Sequence, residues 1–200
     1  MAKKQFLALA GNIGAGKTTL TKFLAGELGL TPFFEPLQEN PYIEDFYADM
    51  SRWAFPAQIS FLSHRLLSHR QAQEQNALLD RSIYEDANIF AHELYAAGHL
   101  SLRDYSTYRC LYDAMVSLVR APDLIIYLRA SVPTLQKRIA QRARSYELFP
   151  EGYLERLNGH YETWISAYEG PKYILDADSF DITQQAHREA LVLQVRQLIS

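Results

Sequence analysis

The chain has little with which to staple or anchor itself. Among its 200 residues is one cysteine, Cys110, so no internal disulfide can form and a reducing, cytoplasmic compartment is expected. No apolar run approaches the length needed to span a bilayer, which removes a membrane partner from the expectations. Basic residues are not in excess: 20 Lys and Arg stand against 23 Asp and Glu, a net charge of −3 that argues against a nucleic-acid partner. The 6 histidines show no H-E-x-x-H spacing and the cysteine is isolated, so a zinc site is rejected. Internal repeats, low-complexity tracts and linkers are missing as well. What is present suits a single domain over 1–200, with 48% apolar residues to fill its core. The opening Lys3-Lys4-Gln5 and Phe6-Leu7-Ala8-Leu9-Ala10 superficially resembles a secretory signal. Its apolar part is short and runs straight into a glycine-rich loop, so it is read as a strand.

That loop, Gly11-Asn12-Ile13-Gly14-Ala15-Gly16-Lys17-Thr18, matches G-x-x-x-x-G-K-[ST]. Glycines permit the tight turns that converge backbone N–H groups on a phosphate. Lys17 supplies a charge for the β/γ-phosphates and Thr18 a hydroxyl for Mg²⁺. A strand precedes the loop, and a helix opens at Thr19-Leu20-Thr21, whose N-terminal partial charge favours phosphate. The alternative is a glycine turn that happens to precede a lysine; the strand and helix weigh against it.

Further along, Thr31-Pro32-Phe33-Phe34, Ala77-Leu78-Leu79-Asp80, Leu124-Ile125-Ile126-Tyr127-Leu128 and Tyr173-Ile174-Leu175 read as strands. Helices are expected over 42–49, 54–75, 84–97, 102–120, 132–143, 152–168 and 184–199. Cys110 and Met115 fall in an apolar helix and are expected in the core. Strands alternating with helices indicate an α/β fold, a parallel sheet covered on both faces, with ligands beyond the carboxyl ends of the strands.

Polar residues at those ends are therefore the candidates. Glu35, directly after the second strand, is placed to take a proton from an acceptor hydroxyl, or is a solvated loop acid. Asp80-Arg81-Ser82 closes the third strand: Asp80 suits Mg²⁺, and Arg81 suits transferring phosphate or an ionised Glu35. A helix N-cap explains the same residues and is compatible with both roles. Arg138 and Arg142 share a helix face with Lys137 beside them and Arg144 beyond, and no acid lies before Glu147. Such repulsion is relieved by an anion, as in a lid over a triphosphate at about 137–150, or the face is merely solvated. Gln58 and Arg65 lie on one face of their helix, and Asp86 one turn into the next. Together these could read a base edge, though exposed helix polars are the commoner explanation.

The order of Gly11–Thr19, Phe34-Glu35-Pro36, Arg52-Trp53, Gln58 with Arg65, Asp80-Arg81-Ser82 with Asp86, and Arg138-x-x-x-Arg142-x-Arg144-x-x-Glu147 resembles the deoxyribonucleoside kinases. The likeness is to the bacterial deoxyadenosine/deoxyguanosine (deoxycytidine) kinase branch. It implies a P-loop kinase fold of three layers with a five-stranded parallel sheet, ATP as donor, Mg²⁺, a deoxynucleoside acceptor and a homodimer. It further implies Glu35 as general base on the 5′-hydroxyl with Arg81 close by, and Asp80 and Thr18 at Mg²⁺. Tyr47 and Glu147 then match the pair at the sugar 3′-hydroxyl. Gln58, Arg65 and Asp86 match the base-recognition trio, with Phe61 one turn after Gln58. Arg138, Arg142 and Arg144 correspond to lid arginines, and Asp178-Ser179-Phe180 to the loop against the donor adenine. Deoxyadenosine or deoxyguanosine is the expected acceptor, deoxycytidine next. The rivals are a nucleoside monophosphate kinase of thymidylate type and a nucleotide-gated switch, the latter without the N-K-x-D guanine signature.

Overall fold

In a computed structural model the described residues are 4–34, 40–144 and 149–200. Five parallel strands, β1 (Phe6–Gly11), β2 (Thr31–Phe33), β3 (Ala77–Asp80), β4 (Leu124–Arg129) and β5 (Lys172–Asp176), pair in the order β2-β3-β1-β4-β5. Pro32 donates no hydrogen bond, and β2 tolerates it because β2 lies at the sheet edge.

The central strands read as unbroken apolar runs because both of their faces are covered. Leu7 and Leu9 of β1, with Leu124, Ile126 and Leu128 of β4, face a core shared with helix α1 (Lys17–Leu28) and the last helix, Gln185–Leu198. Phe6, Ala8 and Ala10, with Ile125 and Tyr127, face the opposite core, which holds Tyr153, Leu157, Tyr161 and Ile165 of the helix Tyr153–Ala167. The result is three layers, helix on sheet on helix.

A third apolar cluster joins α2 (Ile43–Ala48), α3 (Met50–Ala72), α4 (Ile83–Glu85), a π-helical stretch (Asp86–Ala91), α5 (His92–Ala96) and α6 (Leu102–Val116). The long helix begins earlier than its periodicity predicts, because Asp49 accepts a hydrogen bond from the Arg52 N–H and caps it. The expected helix over 84–97 forms with a π-helical middle, a feature frequent at functional sites. α7 (Val132–Arg142), α8 (Tyr153–Ala167) and α9 (Gln185–Leu198) complete the chain.

One core assignment is corrected. Cys110 is exposed on α6, because α6 is apolar on more than one side and its buried positions are Tyr108 and Tyr112, whereas Met115 is half-buried and packs against the third cluster.

Candidate active site

β1 sits between β3 and β4, where chain order reverses across the sheet, and a crevice opens there. The loop leaving β1 lines it. Gly14 (φ 84°) and Gly16 (φ 99°) take left-handed conformations, and a Cβ on Gly14 would stand 2.9 Å from the Leu135 carbonyl oxygen. Lys17 opens α1 and is nearly buried, its Nζ donating to the carbonyls of Gly11 at 2.7 Å and Asn12 at 3.0 Å. The Asn12 side chain points the other way and donates to Asn158 Oδ1 and the Leu154 carbonyl, fastening the loop to α8.

A cavity of about 1120 Å³ runs from Gly14–Thr19 to a buried end lined by Tyr47, Gln58, Phe61, Asp86 and Phe90. Along its length lie Asp80, Arg81, Arg138, Arg142, Arg144, Asp178 and Phe180. Residues anticipated at phosphate, sugar, base and lid are thus brought together from the loop after β1, α1, α2, α3, β3, the π-helical stretch, α7 and the loop after β5. Gly11, Asn12 and Arg65 do not line the cavity. Arg65 stands behind Asp86, Nε to Oδ2 at 3.3 Å, and also donates to the Asp80 carbonyl at 3.3 Å. Glu35 and Glu147 lie outside the described residues.

At the phosphate end Thr18 donates its hydroxyl to Asp80 Oδ2 at 2.6 Å, while Asp80 Oδ1 is buried and hydrogen-bonds to nothing among the described residues. A buried carboxylate oxygen left in that state is costly. A hard divalent cation, bound by carboxylate, hydroxyl and phosphate oxygens, fits this donor set. Arg138 donates to the carbonyls of Ala15 at 2.9 Å and Ala177 at 2.8 Å, joining the phosphate loop to the loop after β5. Asp178 accepts from the Ser131 N–H at the start of α7; hydrogen bonds from Thr134 and Ser131 hold its carboxyl below the usual range.

Sequence reasoning missed the support beneath Arg81. Arg81 occupies a left-handed backbone conformation (φ 81°), rare for a residue with a side chain. Its guanidinium stacks over Phe90 at 4.6 Å and donates to Tyr161 Oη at 2.6 Å. Burial keeps the Tyr161 hydroxyl protonated far above the usual phenol range. Fully buried Glu85 lies 3.2 Å from Arg81. The one local signal was the spacing Ser82-x-x-Glu85, a capping box.

The profile of the deoxynucleoside kinase family matches residues 7–200. The chain belongs to the deoxynucleoside kinase family. Among curated relatives, the deoxyadenosine/deoxycytidine kinase of Bacillus subtilis is 38% identical over 204 residues, covering 98% of this chain and 94% of its own. The deoxyguanosine kinase of Lactobacillus acidophilus is 37% identical, covering 94% and 88%. The solved deoxyadenosine kinase of M. mycoides with bound dCTP superposes with a TM-score of 0.86 at 33% identity, covering 96% of this chain and 98% of that one. This deoxynucleoside kinase is accordingly an α/β enzyme of P-loop kinase fold that phosphorylates deoxynucleosides, as its sequence motifs led one to expect.

Proposed function

We propose that the enzyme transfers the terminal phosphoryl group of ATP to the 5′-hydroxyl of a purine deoxynucleoside, deoxyadenosine or deoxyguanosine, with deoxycytidine next in preference. The observation that carries this reading is the single cavity joining the phosphate loop to the buried Gln58 and Asp86. Gln58 Oε1 has no hydrogen-bond partner among the described residues, so that end of the cavity offers an unsatisfied acceptor to a base amino group. Asp86, backed by Arg65, adds a second acceptor beside it.

In this reading the acceptor oxygen attacks the γ-phosphorus, the bond to the β,γ-bridging oxygen breaks, and ADP leaves. The hydroxyl proton passes to Glu35, a role that rests on its position directly after β2 and on the family motif. Lys17 and the N–H groups of Gly14–Thr19 hold the donor phosphates. Thr18 and Asp80 would hold Mg²⁺, which neutralises phosphate charge when bound. Tyr47 and Glu147 take the sugar 3′-hydroxyl, and Phe61 packs against the base. Arg142 and Arg144, on the lid segment at 137–150, balance charge that builds on the phosphates; Arg138 braces the phosphate loop beneath them. Asp178 and Phe180 border the donor base.

A homodimer and a cytoplasmic location belong to the same proposal. The dimer is supported by Leu102, at the start of α6, and Leu118, in the turn that follows it, each 65% exposed. The location rests on the single cysteine. Among the described residues no helix is long and apolar enough to cross a membrane.

The test is a labelled-phosphate transfer assay with ATP over the four deoxynucleosides and their monophosphates. Purine deoxynucleosides are expected to be the best acceptors. Preference for thymidine, or for a monophosphate, refutes the assignment.

A further inference from the structure

Glu85 is not among the residues that line the cavity, yet its carboxylate is fully buried and tied to three parts of the site. Its Oε2 accepts from the Ser82 N–H at 2.8 Å, with the Ser82 hydroxyl at 3.4 Å. Those contacts complete the helix cap, and nothing more is needed to start α4. Its Oε1 does something the cap does not require. It lies 3.2 Å from Arg81 Nη1, accepts from the Tyr161 hydroxyl at 2.7 Å, and accepts from the Gly11 N–H at 3.3 Å. Tyr161 closes the same circuit from α8, lying 2.8 Å from the Gly11 carbonyl oxygen and accepting from Arg81.

Gly11 is the first residue of the phosphate loop, and Arg81 lines the cavity at the end of the neighbouring strand. A flexible guanidinium on a left-handed residue holds one position only where its surroundings over-determine it. Two groups that must act on one transferring phosphoryl gain from a fixed separation, since small misplacement is costly in rate. A buried carboxylate with a charged partner and several donors is the rigid strut such a site needs.

We infer that Glu85 is a positioning residue for phosphoryl transfer: with Tyr161 it locks the Arg81 guanidinium to the first residue of the phosphate loop. The donor cradle and the cation beside the acceptor then move as one body. This inference rests on the kinase reading of the cavity.

Steady-state kinetics of the full chain with ATP, Mg²⁺ and its best deoxynucleoside test it, alongside thermal melting. Glu85→Gln keeps the shape and an acceptor but removes the charge, whereas Tyr161→Phe removes only the hydroxyl. Both are expected to lower kcat by about ten- to a hundredfold while the KM for each substrate moves less than about threefold. The double variant is expected to be no slower than the slower single, as for groups that act as a unit. A folded Tyr161→Phe with unchanged kcat, a loss carried wholly by KM, or an additive double variant overturns the proposal. If Glu85→Gln does not fold, Tyr161→Phe decides by the same split. Wild-type protein that transfers no phosphate overturns the kinase reading itself, and this inference with it.

Discussion

Arg65 and Asp86 form an ion pair, Nε to Oδ2 at 3.3 Å, in which both side chains are almost wholly removed from solvent. Both are removed from water, so loss of one charge leaves the other poorly compensated. Asp86→Ala is expected to lower unfolding free energy by about 3 kcal/mol, because it takes a carboxylate away from a buried guanidinium. Arg65→Met with Asp86→Ala removes both charges, and chemical denaturation should show it more stable than Asp86→Ala alone. If Asp86 reads the base as proposed, the same double variant loses that acceptor and its ranking of acceptors should move toward thymidine. An unchanged ranking would remove the pair from base recognition.

The second prediction concerns the contact between Thr18 and Asp80 at 2.6 Å and Asp80 Oδ1, which has no partner among the described residues. Asp80→Asn nearly preserves size while withdrawing the charge that a divalent cation requires. Turnover is expected to fall at least about a hundredfold, roughly 2.7 kcal/mol of barrier. A titration of rate against Mg²⁺ should also show a raised half-saturating concentration. Near-normal turnover at low Mg²⁺ would exclude Asp80 from the metal site.

A third prediction comes from packing rather than charge. Gly14→Ala places a methyl 2.9 Å from the Leu135 carbonyl and 3.0 Å from Ile139 Cγ1, at a φ of +84°. Both neighbours belong to α7, so relief requires that helix to back away from the phosphate loop. The left-handed conformation alone costs of order 1 kcal/mol with a side chain present. Melting should drop by several degrees, and the KM for ATP should rise more than that for the nucleoside. Equal changes in the two constants would mean that the loop tolerates the methyl.

These cases show why some of the molecule was legible in its residues and some was not. The five strands were readable because β1 and β4, buried on both faces, must be apolar throughout. The phosphate loop was readable because its chemistry resides in consecutive residues. Glu85 was not, since its partners Gly11 and Tyr161 are 74 and 76 positions away and meet it only through the fold. Helical periodicity marks that Asp86 lies in a helix, not that a π-helical stretch begins there and alters which side chains share a face. Cys110 was misplaced for a related reason. On a helix apolar on more than one side, composition cannot say which side meets the core, and tyrosines took the buried positions.

The last prediction is a pH dependence that originates far from the phosphates. His69 on α3 is fully buried between Phe6 and Tyr84, its Nε2 bonded to the Arg120 carbonyl at 2.9 Å. Desolvation chiefly, and the charges of Arg120 and Arg65 less, push its pKa down from 6.5 to about 4, against the opposing hydrogen bond to Arg120. In the unfolded chain it titrates near 6.5. Between those values the unfolded state binds a proton that the folded state refuses, so stability rises with pH through that window. The contribution is intact above pH 6.5 and is lost progressively as pH falls to 4, by about 3 kcal/mol in all. His69→Leu should remove this slope while lowering stability at pH 8, because the Arg120 carbonyl loses its donor. Carboxylate titration is common to both proteins and cancels in their difference. Denaturation midpoints at pH 8, 6 and 4.5 measure it, and two parallel curves would show that His69 is protonated in the folded chain.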